Sequence, residues 1–103
     1  PETGDMTHNF SSLAEAAAYT KRYRDTKVSE VKAGAFDKYQ VLDLLSQPGC
    51  VGLRVYYGRD AAGAPSLVLA GIDADDNDLT NETLLEQPWP CPPFCGAPNP
   101  LNS

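Results

Sequence analysis

Residues 51–73 constrain this chain more than any other segment, because they hold two β-rich runs separated by a turn. Val51-Gly52-Leu53-Arg54-Val55-Tyr56-Tyr57 is dense in β-branched and aromatic residues, the types that suit a pleated, half-buried surface. Arg59–Pro65 contains Asp60, Gly63 and Pro65, a turn composition. Ser66-Leu67-Val68-Leu69-Ala70-Gly71-Ile72 then returns, apolar on both faces, as expected of a strand inside a sheet and not at its edge. An antiparallel hairpin is therefore the expected centre of the fold.

The flanking segments supply helices. Ser12-Leu13-Ala14-Glu15 fits a capping box, and Leu13, Ala16, Ala17, Thr20 and Tyr23 share one face of a helix ending near Asp25. Asp37, with Gln40 three residues on, can cap a second helix whose stripe is Val41, Leu42, Leu44 and Leu45. Gln47-Pro48-Gly49 stops it. Residues 28–36, with Val31, Ala33 and Ala35 alternating, suggest a short strand. A turn over Ala74–Asn77 leads to a further short strand near Asp78–Thr80, and residues 81–86 are expected to add one helical turn. With 103 residues there is room for one domain. The expected architecture is α+β: a small antiparallel sheet centred on the 51–73 hairpin, two helices packed on one face, and an extended Pro/Cys-rich C-terminal tail. Residues 1–10 form a polar leader, 11–86 the domain, and 87–103 a tail packed on the domain or on a neighbouring copy.

Charge narrows the possible partners. The chain is 42% hydrophobic and 21% charged, with net charge −6, which reads as globular and argues against nucleic acid or an anionic membrane surface as the main partner. Six of the eight basic residues (Lys21, Arg22, Arg24, Lys27, Lys32, Lys38) fall in 21–38, and no Lys or Arg follows Arg59. Two solvated faces would explain this segregation, as would complementary ends that attract one another between copies. No run approaches a membrane span, and no signal peptide is visible. Either Met6 is the natural start, or a longer precursor is processed; these point to a cytoplasmic or an extracellular protein respectively.

Cys91 and Cys95 sit in a Cys-x3-Cys spacing within Gln87-Pro-Trp-Pro-Cys-Pro-Pro-Phe-Cys95. Free thiols, a local disulfide, and a zinc site completed by Cys50 and the only histidine, His8, are all open. Zinc needs four converging ligands, and no second close-spaced pair exists. Asp73, Asp75 and Asn77 match the first half of a calcium loop. The match then fails, with Asp78 where glycine is required and Leu84 where a bidentate Glu is required. A β-turn using Asp and Asn side chains is the expected role, and calcium is not expected. Pro90-Cys-Pro-Pro93 is formally a PxxP ligand without a flanking cation; Trp89 and Phe94 are expected instead to pin the tail to the domain or to a neighbour. Arg54, Tyr56 and Tyr57 could form a ligand face, but alternation favours one tyrosine inside and one outside. No nucleophile motif and no phosphate loop is present, and no small-molecule substrate is identified. Asn9-Phe-Ser11 and Asn81-Glu-Thr83 are formal glycosylation sequons.

The run Gln47-Pro-Gly-Cys-Val-Gly-Leu-Arg-Val-Tyr-Tyr-Gly58, with Leu67-Val-Leu-Ala-Gly-Ile-Asp73, Asn77-Asp78, Pro90-Cys-Pro-Pro-Phe-Cys95 and Asn99-Pro-Leu-Asn-Ser103, resembles a group of small bacterial proteins with no established activity. The resemblance implies no mechanism and no site. It implies that the Pro-Cys tail belongs to the natural protein.

The expected function is a non-enzymatic structural or interaction module that self-associates, as a head-to-tail oligomer or filament. Its interface would use Lys21, Arg22 and Arg24 against Asp75, Asp76 and Asp78, with Trp89 and Phe94. The alternative is a small metal-binding or thiol module built on Cys50, Cys91 and Cys95, with His8.

Overall fold

The computed structural model describes residues 6–27, 31–81 and 83–102. Expectations for Pro1–Asp5, for the opening of the 28–36 strand and for Glu82 lie outside those residues. The order of elements is α1 (Leu13–Thr26), β1 (Ala33–Ala35), α2 (Lys38–Leu45), β2 (Gly52–Arg59), β3 (Pro65–Ile72), β4 (Leu84–Glu86) and β5 (Trp89–Cys91). The class is α+β, as the sequence predicts.

The hairpin forms in one continuous register, from Gly52 opposite Ile72 to Arg59 opposite Pro65. Its turn is closed by Asp60, whose Oδ1 accepts from the backbone N–H groups of Ala62 and Ala64, both at 2.9 Å. Gly63 has φ +88°, a left-handed conformation that glycine takes without the strain a Cβ would add. β3 is the central strand, between β2 and β4. β4 replaces the helical turn expected over 81–86. The reason is tertiary: Leu85 lies opposite Leu69 and completes a buried cluster with Leu44 of α2. A strand lets Leu85 reach that cluster, and its burial outweighs the weak local preference of so short a segment. The strand expected near Asp78–Thr80 reduces to one bridge, Ile72 to Asp78, with a Leu79 N–H to Gly71 C=O bond of 2.9 Å.

Both helices start where expected. Ser12 Oγ accepts from the Glu15 N–H at 3.1 Å, while the Glu15 carboxylate accepts a hydrogen bond from the Ser11 hydroxyl. Asp37 accepts from the N–H groups of Tyr39 and Gln40, at 2.9 and 3.1 Å. Their packing differs. Leu44 of α2 is fully buried against Leu69 and Leu85, with Phe36 and Val41 around them. α1 buries no residue fully. It is tethered by Arg24, whose guanidinium donates to the Leu101 carbonyl at 2.7 Å.

The tail is more than an extended appendage. β5 pairs antiparallel with β1, Gly34 opposite Pro90, so the segment after Gln87 is stitched to the domain by backbone bonds. Cys91 and Cys95 are joined in a disulfide, and the Phe94 N–H turns back to the Pro90 carbonyl at 2.9 Å. The peptide bonds before Pro92 and Pro93 are cis.

The core is thin. The radius of gyration is 15.1 Å, where a compact chain of this length has about 13 Å. Such a chain keeps much of its apolar surface in reach of solvent, and that surface is where function has to be sought.

Candidate functional site

β2 is the outer strand of its sheet. Residues directly opposite one another in an antiparallel pair share a face. Leu53, Val55 and Tyr57 lie opposite Gly71, Leu69 and Leu67, so they continue the apolar face that carries Leu69 and Leu85. Leu69 is only 6% exposed, whereas Leu53, Val55 and Tyr57 are 37%, 43% and 91% exposed. The cause is α2, which has only eight residues and packs chiefly on β3 and β4. Neither tyrosine of the pair 56–57 enters the core, contrary to the expectation of one inside and one outside. Along the free edge of β2, alternate residues also turn their N–H and C=O groups away from β3.

The opposite face of β2 carries a polar network. Arg54 lies between two carboxylates, with its NH2 group 2.5 Å from Asp76 Oδ1 and its NH1 group 2.6 Å from Asp78 Oδ1. Tyr56 donates its phenol hydrogen to the other oxygen of Asp78. The hydrogen bond from Tyr56, then those of the Arg54 guanidinium, hold the Asp78 carboxyl below its usual range. The same bond to Asp78 raises the Tyr56 phenol above its ordinary value, and Arg54 is held in its protonated form chiefly by Asp78. This network is closed on itself: Arg54 is paired with both carboxylates, and Asp78 is held by Arg54 and Tyr56 together.

The acidic run is a turn, as the sequence suggests. Asp73 Oδ1 accepts from the N–H groups of Asp75 and Asn77, both at 2.9 Å, and Asp76 has φ +67°. Two of the three acids expected at an interface, Asp76 and Asp78, are thus engaged by Arg54, and Asp75 stays exposed. On the basic side, Lys21 pairs with Asp25 at 2.6 Å along α1, Arg22 lies 5.3 Å over the Tyr19 ring, and Arg24 holds Leu101. Trp89 and Phe94 pack on each other, with ring centroids 5.3 Å apart. Both stay more than half exposed, so within one chain they do not pin the tail to the domain; the β1–β5 pairing does.

The set His8, Cys50, Cys91 and Cys95 is not brought together. Among the described residues no group of three or more His, Cys, Asp or Glu is placed to hold a metal ion. The disulfide takes Cys91 and Cys95, while Cys50 is a free thiol that donates to the Gly52 carbonyl at 3.1 Å. Among the described residues no helix is long and apolar enough to cross a membrane.

Sequence reasoning missed two features. The partners of Arg54 lie more than twenty residues downstream, where only the acidic composition of the turn hints at them. The openness of the Leu53–Val55–Tyr57 face depends on the reach of α2, which no local pattern encodes.

Compared with known proteins, the chain matches no family model, no curated protein and no solved structure.

Proposed function

We propose that this chain is a non-enzymatic interaction module that self-associates, with a second copy adding its β2 to β2 of the first. The observation that carries the reading is the edge strand itself: eight residues long, unpaired on one side among the described residues, with Leu53, Val55 and Tyr57 exposed on the face that elsewhere holds the core. Such an edge is a template for strand addition unless it is blunted. β2 has no proline and no lysine, the usual blunting residues.

A two-fold, antiparallel β2–β2 pairing also fits the charges. Keeping the apolar faces continuous requires odd-numbered residues to pair with odd-numbered ones. That condition forbids Arg54 opposite Arg59 of the other copy. Centring on Val55 sets Leu53 opposite Tyr57 and Arg54 opposite Tyr56, so like charges stay apart. The contact is isologous and closes as a dimer. Six partly exposed side chains and a short ladder of backbone bonds only modestly exceed the cost of association, which suggests a dissociation constant on the order of micromolar.

A head-to-tail charge contact leading to filaments draws less support. Asp76 and Asp78 are satisfied by Arg54, and Lys21 and Arg24 have partners within the chain.

Sedimentation velocity across a concentration series tests the reading. The wild type should dimerise, and added salt should leave the dimer intact, since salt weakens charge contacts and spares apolar ones. Val55→Lys should be monomeric with an unchanged far-UV circular dichroism spectrum. A wild type that stays monomeric at every concentration, or a dimer dissolved by salt, rejects it.

A further inference from the structure

We propose that the groove between α1, β1 and the far end of the hairpin binds a small aromatic carboxylate. This site is distinct from the β2 edge, although Tyr57 borders both. The groove encloses about 620 Å³, within the range of small-molecule sites. Three tyrosines from two elements line it: Tyr19 and Tyr23 from α1, and Tyr57 from β2. Leu67 and Pro65 of β3 add apolar surface.

Charge decides the ligand class. In a chain of net charge −6, the only charged side chains lining this groove among the described residues are Lys32 and Arg59. The Lys32 ammonium is part-buried and donates to the Asn102 carbonyl; an ammonium carries three protons, so it keeps donors for a ligand. Arg59 uses NH1 on the Gly63 carbonyl at 2.9 Å and is otherwise exposed. Gln87 is occupied, accepting from the Leu67 N–H at 3.2 Å, and it fixes the wall instead of reading a ligand. Two cations beside aromatic walls suit a flat apolar body with an anionic head. The walls are also held in place. Tyr19 packs edge-on against Phe10 at 4.8 Å, and α1 is tied to the tail through Arg24 and Leu101.

The test is calorimetric titration with 2-naphthoate and its neutral analogue 2-naphthamide, with amide chemical shifts mapping the site. Naphthoate should bind about tenfold tighter than naphthamide or better, the gain of one charge-assisted hydrogen bond. Lys32→Gln should remove most of that preference. Because Lys32 also holds Asn102, Arg59→Gln serves as a second variant that leaves this tether alone and should reduce the preference as well. Tyr57→Ser should weaken both ligands alike. Shifts should centre on Lys32, Gly58, Ser66 and Leu67, and the monomeric Val55→Lys variant should bind as the wild type does. Equal affinity for the two ligands, shifts centred elsewhere, or no binding up to about 1 mM overturns the proposal.

Discussion

Tyr56 on β2 donates its phenol hydrogen to Asp78, which lies across the sheet beyond the acidic turn, and Arg54 binds the other oxygen of the same carboxylate. One aspartate thus ties the edge strand to the segment that follows β3. Its consequences run in opposite directions with pH. Asp78 has a lowered pKa, so the stability it confers is complete above the ordinary carboxylate value and is lost as pH falls through its folded value. Tyr56 has a raised pKa, so its share is complete below about 10 and is lost as pH rises through its folded value. Urea midpoints measured against pH should show both losses in the wild type. Asp78→Asn should flatten both limbs.

The same bond predicts a spectroscopic signature. Ultraviolet titration of phenolate should show Tyr56 ionising above the ordinary tyrosine range. Tyr56→Phe should remove that component, and Asp78→Asn should move it down toward the ordinary value. A late component that survives Tyr56→Phe would assign it to another ring.

The parts of the fold visible in the sequence are those encoded by neighbours along the chain. Ser12 and Asp37 cap helices by bonding N–H groups two or three residues away, and Asp60 and Gly63 shape a five-residue turn; each is a local decision. The β3 run is apolar on both faces, the pattern of an interior strand, and that too can be read directly. β4 could not be read so, since Leu84-Leu85-Glu86 becomes a strand only because Leu69 and Leu44 wait for Leu85. The β1–β5 pairing joins segments more than fifty residues apart, one of them rich in proline. Cys91 and Cys95 had several open chemistries until Phe94 folded back on Pro90 and brought the thiols together. The β2 edge and the groove are properties of what fails to cover them, which sequence periodicity does not record.

Leu44 is the one large side chain among the described residues with no solvent exposure, and it joins α2 to β3 and β4. Leu44→Ala removes its contacts with Leu69 and Leu85 together and leaves a cavity. The expected cost is about 2–5 kcal/mol, a large part of the stability of a domain with so thin a core. Chemical denaturation should place the variant near or below the threshold of folding at 37 °C. Leu42→Ala, at a half-exposed position on the same helix, should cost far less.

Cys95→Ser opens the Cys91–Cys95 loop. Closing a loop this short limits the unfolded chain by about 2 kcal/mol, so a loss of that order is expected. Hydrogen exchange should locate it. The Lys32 N–H, bonded to the Cys91 carbonyl at 2.8 Å, should lose protection, whereas amides of the β2–β3 hairpin should keep theirs. Uniform loss across both sheets would mean that the disulfide supports the whole domain and not β5 alone.

Gly34 and Gln87 form the last coupled pair. A Cβ built on Gly34 would lie 1.9 Å from Gln87 Oε1 and 2.5 Å from its Cδ, far inside contact distance. The Gln87 side chain swings away only by giving up its bonds to β3, where its Oε1 accepts from the Leu67 N–H at 3.2 Å and its Nε2 donates to the Pro65 carbonyl at 3.5 Å. Gly34→Ala must therefore either displace β1 from β5 or break the link from Gln87 to β3. A loss of about 1–3 kcal/mol is expected, the usual cost of overpacking. Gln87→Ala removes Oε1 and Cδ and leaves only the residue-87 Cβ, 3.0 Å away, so adding Gly34→Ala in that background should cost less than in the wild type. The double-mutant cycle should then give a coupling of about 1 kcal/mol or more. Additive losses would mean that Gly34 is required for its backbone alone, and that the two sheets are not joined through the Gln87 side chain.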